Sequence, residues 1–457
     1  MKRYALVFGK YLAAFIALMA LFCAAMYLAC SFDSQYLKEQ VQASTAILAE
    51  QGRNPVVFTP LDVQNDSNTD ALMINEMYSV DSREPFVSSQ RIRRNYSRAL
   101  STTHLRDTEG APVSAIYDPT TGQELFGGRH FEPIKELQQF LAGQLHTTFN
   151  YGRYWHGYFV VYRPLLVFFN ITQIRNLLLA TYGVLLAGFL YLLYRRFGRD
   201  ITFIFAASLI GGGYFTASFS LQASCMFLAL MISAIVLVKR LDKIRDFNLY
   251  LFAVACITNF VDYLTVPMMT LGVLEAIHLL HLRQEGYSWQ YCLRQLVVNS
   301  AVWLLGYAST WYGKWQIYDL FLTDGQSMVV IGLHQVMFRM SRDSSQSPWY
   351  HGKYIFLTIM MIGKASLVAV LSLVVLLYLH KFNLVVTEFN HRTLPYLLLS
   401  LIPVVWYLAT ANHTEIHFYF TFRLTAVFTL GLLLAIQELF WGIPEKAKDP
   451  ITEKSQC

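Results

Sequence analysis

Long apolar runs separated by short polar connections dominate the chain. A helix needs about 20 mostly apolar residues to cross the hydrocarbon core of a membrane. Ten segments are candidates for such helices, at about 5–30, 174–194, 201–218, 222–238, 248–265, 267–282, 295–312, 354–380, 395–411 and 420–441. The pattern predicts an all-α polytopic membrane protein with about ten transmembrane helices.

The apolar run at the N-terminus is a retained anchor in this interpretation. It follows Met1-Lys2-Arg3 and continues to about Cys30, which is longer than the 7–15 apolar residues of a signal peptide. The predicted organisation is a first helix in 1–30, an extracytoplasmic region in 31–173, helices two to seven in 174–312, a second extracytoplasmic loop in 313–353, helices eight to ten in 354–441 and a cytoplasmic tail in 442–457.

Local patterns indicate mixed secondary structure in the 31–173 region. Residues 34–52 and 131–146 have helical patterns, whereas 112–118 resembles a strand that leads into a turn. We therefore expect a mixed α/β extracytoplasmic region. In the second loop, an apolar stripe over 328–340 is typical of a helix that lies in the membrane interface.

The orientation follows from the distribution of positive charge. With the N-terminus in the cytoplasm, sixteen Lys and Arg residues fall in cytoplasmic segments and four in the short external loops. Such a bias predicts that both termini are cytoplasmic. We expect a multi-pass protein of the cell membrane.

Composition narrows the class further. The chain of 457 residues is 55% hydrophobic and only 14% charged, against about 25% charged residues in soluble proteins, which excludes a soluble enzyme. The net charge of +6 belongs to the orienting cations, and no basic stripe with interleaved aromatic residues predicts nucleic-acid binding. The six cysteines are scattered, so neither a disulfide framework nor a metal cluster is predicted.

Ionisable residues inside predicted spans are of interest because charge there is costly and is usually paired or functional. Among them are Asp262, Glu275, His278 and Lys364. One interpretation is a buried ion pair of Lys364 with Glu275 or Asp262 that fixes the helix register. Asp262, at the outer end of its helix, is also a candidate for contact with a substrate.

The outer end of the last hairpin carries His413, His417 and Arg423. The His-x-x-x-His spacing can bind zinc, but the glutamate is not at the position that a metalloprotease motif requires. Two histidines and an arginine at the external surface suit a phosphate group better, because Arg forms paired hydrogen bonds with phosphate oxygens. The alternative is a polar loop with an arginine that reaches the interface.

Aromatic residues recur beside cations at two further places on the predicted external side. Interfacial Trp and Tyr alone would form an aromatic belt. Aromatic faces also stack on sugar rings, and cations bind lipid phosphates. The candidate binding residues are Arg153, Trp155, His156, Arg163 and His351.

An acidic stretch in the first external region offers candidates for a general base. Asp66 and Asp70 lie at the predicted start of a helix, where a carboxylate ordinarily serves as a cap. A carboxylate beside a membrane surface could also take the proton of a sugar hydroxyl.

The order of one anchor, a large first external segment and a polytopic bundle with a second external loop resembles the GT-C superfamily of integral membrane glycosyltransferases. The local residues of the resemblance are Asp66 to Glu76, Tyr151 to Leu166 and His413 to Arg423. It implies inverting transfer of a sugar from a polyprenyl-phosphate donor to a cell-envelope glycan or lipid acceptor. By this resemblance Asp70 is the base, with Asp66 and Asp33 as rivals.

The same mechanism assigns roles to the cations. Departing polyprenyl phosphate would be stabilised by Arg423, His413 and His417, with Arg153 and Arg163 as further candidates. Whether a divalent cation is required as a cofactor stays open. A transporter or flippase of envelope lipids is an alternative, for which Gly211-Gly212-Gly213 is the one candidate helix break. A non-catalytic membrane receptor is another.

Overall fold

The computed structural model describes residues 2–53, 55–58, 63–96, 115–117, 124–127, 132–145, 147–262, 264–322, 325, 327–340, 348–383 and 391–443. The chain is a helical membrane protein. Six stretches of the described chain are long and apolar enough to cross a membrane, at Leu6–Cys30, Ile171–Phe197, Arg199–Phe219, Leu221–Arg240, His391–Ala409 and Phe422–Phe440. The expected multi-pass membrane architecture is thereby confirmed.

The helices fall into two groups along the chain. The anchor and the helices of the polar region are α1 (Lys2–Cys30), α2 (Lys38–Gln51), α3 (Ser67–Tyr78), α4 (Pro85–Gln90), α5 (Pro133–Leu141) and α6 (Phe159–Leu165). The remaining helices form the bundle: α7 (Ile171–Phe197), α8 (Arg199–Gly211), α9 (Leu221–Arg240), α10 (Phe247–Val261), α11 (Met268–Gln284), α12 (Trp289–Phe321), α13 (Met328–Met340), α14 (Pro348–Leu379), α15 (Leu394–Ser400), α16 (Ile402–Ala409), α17 (Ala411–Thr421) and α18 (Thr425–Phe440).

Helix α11 is the centre of the bundle. Its residues from Met268 to Leu280 are all buried, and it packs against α9, α10, α12, α15, α16 and α18. A helix that is apolar on every face is stable only when other helices cover it completely. The peripheral α1 and α7 instead keep many large apolar side chains exposed, as expected of helices that face lipid.

Strands occur only as three antiparallel pairs among the described residues. They are β1 (Val56–Phe58) with β2 (Val63–Gln64), β3 (Arg93–Tyr96) with β6 (Thr147–Asn150), and β4 (Ala115–Tyr117) with β5 (Glu124–Gly127). In the second pair Arg93 lies opposite Asn150. Helices α2, α3 and α5 pack together beside it, so helices dominate the described residues of the 31–173 region. The predicted turn at 118–122 lies outside the described residues.

Buried cations attach the polar region to the bundle. Lys314 of α12 donates from Nζ to Oε1 of Gln90 at 2.7 Å and to two backbone carbonyls of α4. Arg175 of α7 pairs with Asp70 of α3, with Nη2 and Oδ2 2.8 Å apart. Ionic groups hold their geometry in a dry interface only when they are fully paired, and these contacts fix how the two parts meet.

The last hairpin departs from the continuous helices expected at 395–411 and 420–441. Helix α15 ends at Ser400 and α16 begins at Ile402, with Pro403 in its first turn. Proline has no N–H group and clashes with the preceding turn, so it interrupts a helix. Helix α17 is kinked at His417, where φ is −121° and ψ is 22°.

The expected break at the triple glycine is present. Helix α8 ends at Gly211, and Gly213 adopts a φ of +84°, which glycine tolerates without strain. A short 3-10 helix over Phe215–Phe219 then leads to α9.

Gly157, two residues before α6, lies in close contact with the backbone of α10. A Cβ at this position would lie 2.3 Å from the Phe260 carbonyl oxygen. We expect Gly157→Ala to destabilise the protein by about 1–3 kcal/mol, because backbone must move to admit the methyl group. The thermal unfolding midpoint in detergent measures this loss.

The matched control is Gly188→Ala, in the middle of α7. An added Cβ there meets no atom within 4 Å, so the thermal unfolding midpoint should be unchanged or higher. Equal midpoints for both variants would contradict the packing at Gly157.

Candidate functional site

Four segments meet at the end of the bundle that carries the polar region. They are the loop before α6, the loop between α10 and α11, helix α13 and helix α17. They bring together five side chains that we call the arginine cluster: Arg153, Tyr154, Arg339, His413 and His417. Three of these five are residues that the sequence analysis singled out.

The phenol of Tyr154 lies between two guanidinium groups. The Cζ atom of Arg153 is 5.1 Å from the ring centroid of Tyr154 and 4.1 Å from that of Tyr151. Burial raises the pKa of Tyr154, but the positive charges of Arg339 and Arg153 outweigh it and lower the pKa below its usual value. The site therefore has a strongly positive local potential that favours an anion.

Arg339 fixes the protonation state of His413. Its Nη1 lies 2.6 Å from His413 Nδ1, and a guanidinium can only donate, so Nδ1 accepts. The proton of the ring is on Nε2, which donates to the Leu264 carbonyl at 2.7 Å. His413 is thus a neutral ring that orients Arg339.

The second histidine is neutral for the same reasons. Burial, followed by the charge of Arg339, lowers the pKa of both His413 and His417 well below the usual range. The ring of His417 lies 4.7 Å from that of His413 and stacks on Phe420 at 4.9 Å. The positive charge of the cluster resides on its two arginines.

An aromatic wall borders the cluster. Trp303, Tyr307, Trp311 and Trp315 recur every fourth residue on α12 and therefore share one face. Trp315 Nε1 donates to the Arg153 carbonyl at 2.9 Å. Side chains of α13 cover this wall and leave a cavity of about 10 Å³, the size of one water molecule.

Asp262 places a carboxylate on the same side. It follows the last residue of α10, and its Oδ1 accepts from the backbone and hydroxyl of Thr265 at 3.0 and 2.6 Å. Its Oδ2 is buried without a well-formed hydrogen bond in the described part of the chain, with Tyr307 beside it. The ring of Tyr307 lies 5.5 Å from that of Trp311, and the ring of Tyr154 lies 6.0 Å from the same tryptophan, so Asp262 and the arginine cluster border the same aromatic wall.

Two residues next to the cluster have strained backbones. His156 and Leu264 have φ of +56° and +59°, a conformation that costs about 1–3 kcal/mol for residues other than glycine. His156 is held by the Tyr151 carbonyl at 2.9 Å and the Tyr158 hydroxyl at 3.0 Å, with Glu76 in the same buried network. These contacts make His156 part of the site's framework.

The predicted base, Asp70, is fully bonded inside the protein. Its Oδ1 accepts from the Leu221 amide at 2.9 Å, and its Oδ2 accepts from Arg175 at 2.8 Å. Burial raises the pKa of Asp70, and Arg175 opposes that shift. These are the contacts of a structural ion pair, and catalysis by Asp70 stays a prediction.

The two rival carboxylates cap helices. Asp66 accepts from the Thr69 amide at 3.1 Å at the start of α3, and Asp33 accepts from the Gln35 amide at 2.8 Å ahead of a 3-10 helix. Both bonds are those that an N-cap residue makes.

Two of the predicted binding residues make structural contacts. Arg163 is fully buried and donates to Ala29, Met77 and Ser34 at 2.6–3.0 Å. Trp155 Nε1 donates to the Thr310 carbonyl at 3.0 Å. Arg163 joins the polar region to the anchor, and Trp155 joins the polar region to the bundle.

Arg423 lies behind the cluster. It is buried and donates from Nη1 to the Phe420 carbonyl at 3.3 Å, while Phe420 itself contacts His417. Its Nε makes no hydrogen bond with the described residues. His351 belongs to α14, but its side chain lies outside the described part of the structure.

Arg339 and Tyr154 were not among the predicted site residues. Arg339 follows the apolar stripe of α13 and counts in the sequence only as one of four cations in short external loops. A signal for the aromatic wall was available, because aromatic residues recur every fourth position from 303 to 315. Their partners come from distant segments, which no local pattern indicates.

The geometry does not favour a metal at the arginine cluster, since both nitrogens of His413 are engaged. At the opposite end of the bundle, donor atoms of Asp242, His281 and Glu285 lie within 4.8 Å of one another. Arg196 donates two hydrogen bonds to the carboxylate of Asp242, of 2.7 and 2.6 Å. The guanidinium group therefore occupies the position at which a metal cation would bind Asp242.

Comparisons of the chain with family models, curated proteins and solved structures find no match.

We expect Asp70→Asn to cost about 3–5 kcal/mol of stability, because it leaves the charge of Arg175 buried without a counter-ion. The double variant Asp70→Asn/Arg175→Met should recover most of this loss. Thermal unfolding of the three proteins in detergent measures the coupling. Additive losses in the double variant would contradict the ion pair.

The neutral histidines predict how binding depends on pH. A phosphodiester probe keeps one charge between about pH 5.5 and 7.5, and His413 and His417 stay uncharged there because their pKa values are lowered. We expect constant affinity over this range by calorimetry. An affinity that falls as the pH rises through about 6.5 would show that a charged histidine binds the anion.

Proposed function

We propose that the protein is an integral membrane glycosyltransferase that transfers a sugar from a polyprenyl-phosphate donor to a cell-envelope acceptor. The observation that carries the proposal is the convergence of Arg153 and Arg339 on Tyr154 beside a wall of tryptophans. Guanidinium groups recognise phosphate oxygens, and aromatic faces stack on sugar rings.

The donor phosphate binds at the two arginines in this proposal. Each partner of Arg339 among the described residues, His413 and Tyr154, is uncharged or only weakly acidic, so its positive charge stays available to an anion. As the sugar leaves, negative charge grows on the phosphate, and fixed donors stabilise it without reorganisation. Helix α13 covers the site and must move to admit the donor.

We assign the general base to Asp262 ahead of Asp70. A base needs an oxygen that can take the acceptor's proton, and Oδ2 of Asp262 is not committed to a well-formed hydrogen bond among the described residues. Both oxygens of Asp70 accept bonds that hold α3 to the bundle. The carboxylate removes the proton of the acceptor hydroxyl, that oxygen attacks the anomeric carbon, and the bond to the phosphate oxygen breaks.

The finer topology belongs to the same proposal. Ten membrane segments, with both termini in the cytoplasm, place the polar region and the arginine cluster on the external face of the cell membrane. That face is where a polyprenyl-linked sugar would meet a glycan or lipid acceptor. The mixed α/β character of the polar region is part of this expectation.

A transporter of envelope lipids is the second candidate. Breaks between α15 and α16 and at His417 lie in the hairpin that supplies two residues of the arginine cluster. Interrupted helices are typical of transporter binding sites. Movement of a labelled lipid without sugar transfer would favour this alternative.

We expect Arg339→Ala to lower the rate of sugar transfer by about 10²–10³-fold, because it removes one donor to the developing phosphate charge. The assay uses the full chain in liposomes that contain a polyprenyl-phosphate sugar and an envelope glycan acceptor. The matched control is Arg83→Ala, since Arg83 is an exposed arginine of the polar region. Equal rates for the two variants would contradict the assignment.

The same assay separates the carboxylates. Asp262→Asn should abolish transfer while thermal unfolding stays close to wild type. The double variant Asp70→Asn/Arg175→Met should retain sugar transfer in proportion to the fraction of the protein that is folded. If the double variant folds and is inactive while Asp262→Asn is active, the base is Asp70.

A further inference from the structure

Glu275 lies in the centre of the bundle, and its side chain has no contact with solvent. Its side chain is fully buried on α11, and both carboxyl oxygens lack a hydrogen bond by strict geometry within the described structure. An ionised carboxylate in such a place would lose its hydration without replacement. The neutral acid is the form that this environment accepts.

The helices around α11 supply no free counter-ion among the described residues. Their buried ionisable side chains, with those of α11 itself, are Cys225, Cys256, Cys292, Tyr307, Lys314, Tyr318, Tyr396, Tyr407, Glu438, His278 and Arg283, and half-buried Tyr250, His281 and Asp319 complete the set. Lys314 lies fifteen residues beyond Asn299 on α12, about 22 Å along the helix, where it is bonded to Ser89 and Gln90. Cysteines and tyrosines are ordinarily neutral at pH 7. Arg283 and Glu438 neutralise each other at 2.9 Å. Asn299 is the group that interacts with Glu275.

A polar connection leads from Glu275 toward the opposite end of the bundle. Asn299 Nδ2 lies 3.2 Å from His278 Nδ1, and Asn299 Oδ1 is buried without a hydrogen bond by the same geometry. A protonated Glu275 can donate to this oxygen, and the amide then donates to Nδ1 of His278. The remaining ring proton of His278 is on Nε2.

His278 borders a cavity at the end of the bundle opposite the polar region. The cavity has a volume of about 580 Å³, and the ionisable side chains around it are Asp242, Arg245, Asp246, His281, Glu285, Tyr287 and Tyr291. The His278 ring stacks on Phe247 with centroids 3.8 Å apart. This end carries the basic segments predicted to be cytoplasmic.

The path is closed on the other side. Trp303 donates from Nε1 to the Thr270 hydroxyl at 3.2 Å, and Thr270 contacts Thr258 at 2.9 Å. Val427 covers the backbone of Gly272, since a Cβ atom added at Gly272 would lie only 2.3 Å from a methyl group of Val427. Access to Glu275 is therefore from the His278 side.

We propose that Glu275 is an intramembrane proton-binding site that exchanges its proton with the cavity at the predicted cytoplasmic end through Asn299 and His278. The proton moves between the Glu275 carboxyl group and water in the cavity, and no other bond changes. This inference is independent of the sugar-transfer proposal.

Infrared spectroscopy of the full-length protein in lipid tests the proposal. At pH 7, where a glutamate in water is ionised, we expect a protonated-carboxyl band that disappears in Glu275→Gln and persists in Glu285→Gln. Glu285 is the matched control because it ends the same helix but is exposed. Absence of a band that depends on Glu275 would overturn the proposal.

A second variant excludes the alternative ion pair. Lys364→Met should leave the band unchanged, whereas a band that appears only in this variant would show that Glu275 is normally ionised and paired. This measurement also applies if Glu275→Gln fails to fold.

The route is tested by deuterium exchange. His278→Leu should slow the shift of the Glu275 band in D₂O by about tenfold or more, while Thr270→Val should leave its rate unchanged. An unchanged rate in His278→Leu would overturn access through His278.

Discussion

The structure depends on the hydrogen bonding of charged groups in places that water does not reach. Arg175, paired with Asp70, and Lys314, bonded to the amide oxygen of Gln90 and to backbone carbonyls of α4, attach the polar region to the bundle. A buried charge adds little net stability compared with apolar packing, but loss of its partner is costly. These contacts therefore set the register at which α3 and α4 meet α7 and α12.

The geometry of the arginine cluster depends on this attachment of the polar region to the bundle. The loop that carries Arg153 and Tyr154 is held by the contacts of Trp155, His156 and Arg163, which follow it in the chain. Arg339 then meets this loop from α13, with His413 as a neutral support. Positive charge is thus concentrated beside an aromatic wall.

The sequence predicted the helical membrane class because apolar runs and charge bias depend only on local composition. It also located Arg153, His413, His417 and Asp262 in segments that do converge. Arg163 and Trp155 were also predicted to be binding residues. Their contacts in the structure instead attach segments to one another, and these contacts involve partners more than 100 residues away in the chain. Arg339 was overlooked for the converse reason, since its partner His413 is 74 residues further along the chain. Pairing across such distances has no local signature.

The central claim is that Arg153 and Arg339 bind a lipid-linked phosphate. Cryo-electron microscopy of the full chain in a lipid nanodisc with a non-hydrolysable polyprenyl-phosphate sugar tests it most directly. The account predicts that the phosphate lies within hydrogen-bond distance of both guanidinium groups, with the sugar against Trp311 or Trp315 and α13 displaced. Density for the phosphate at another place, with the cluster and α13 unchanged, would contradict it.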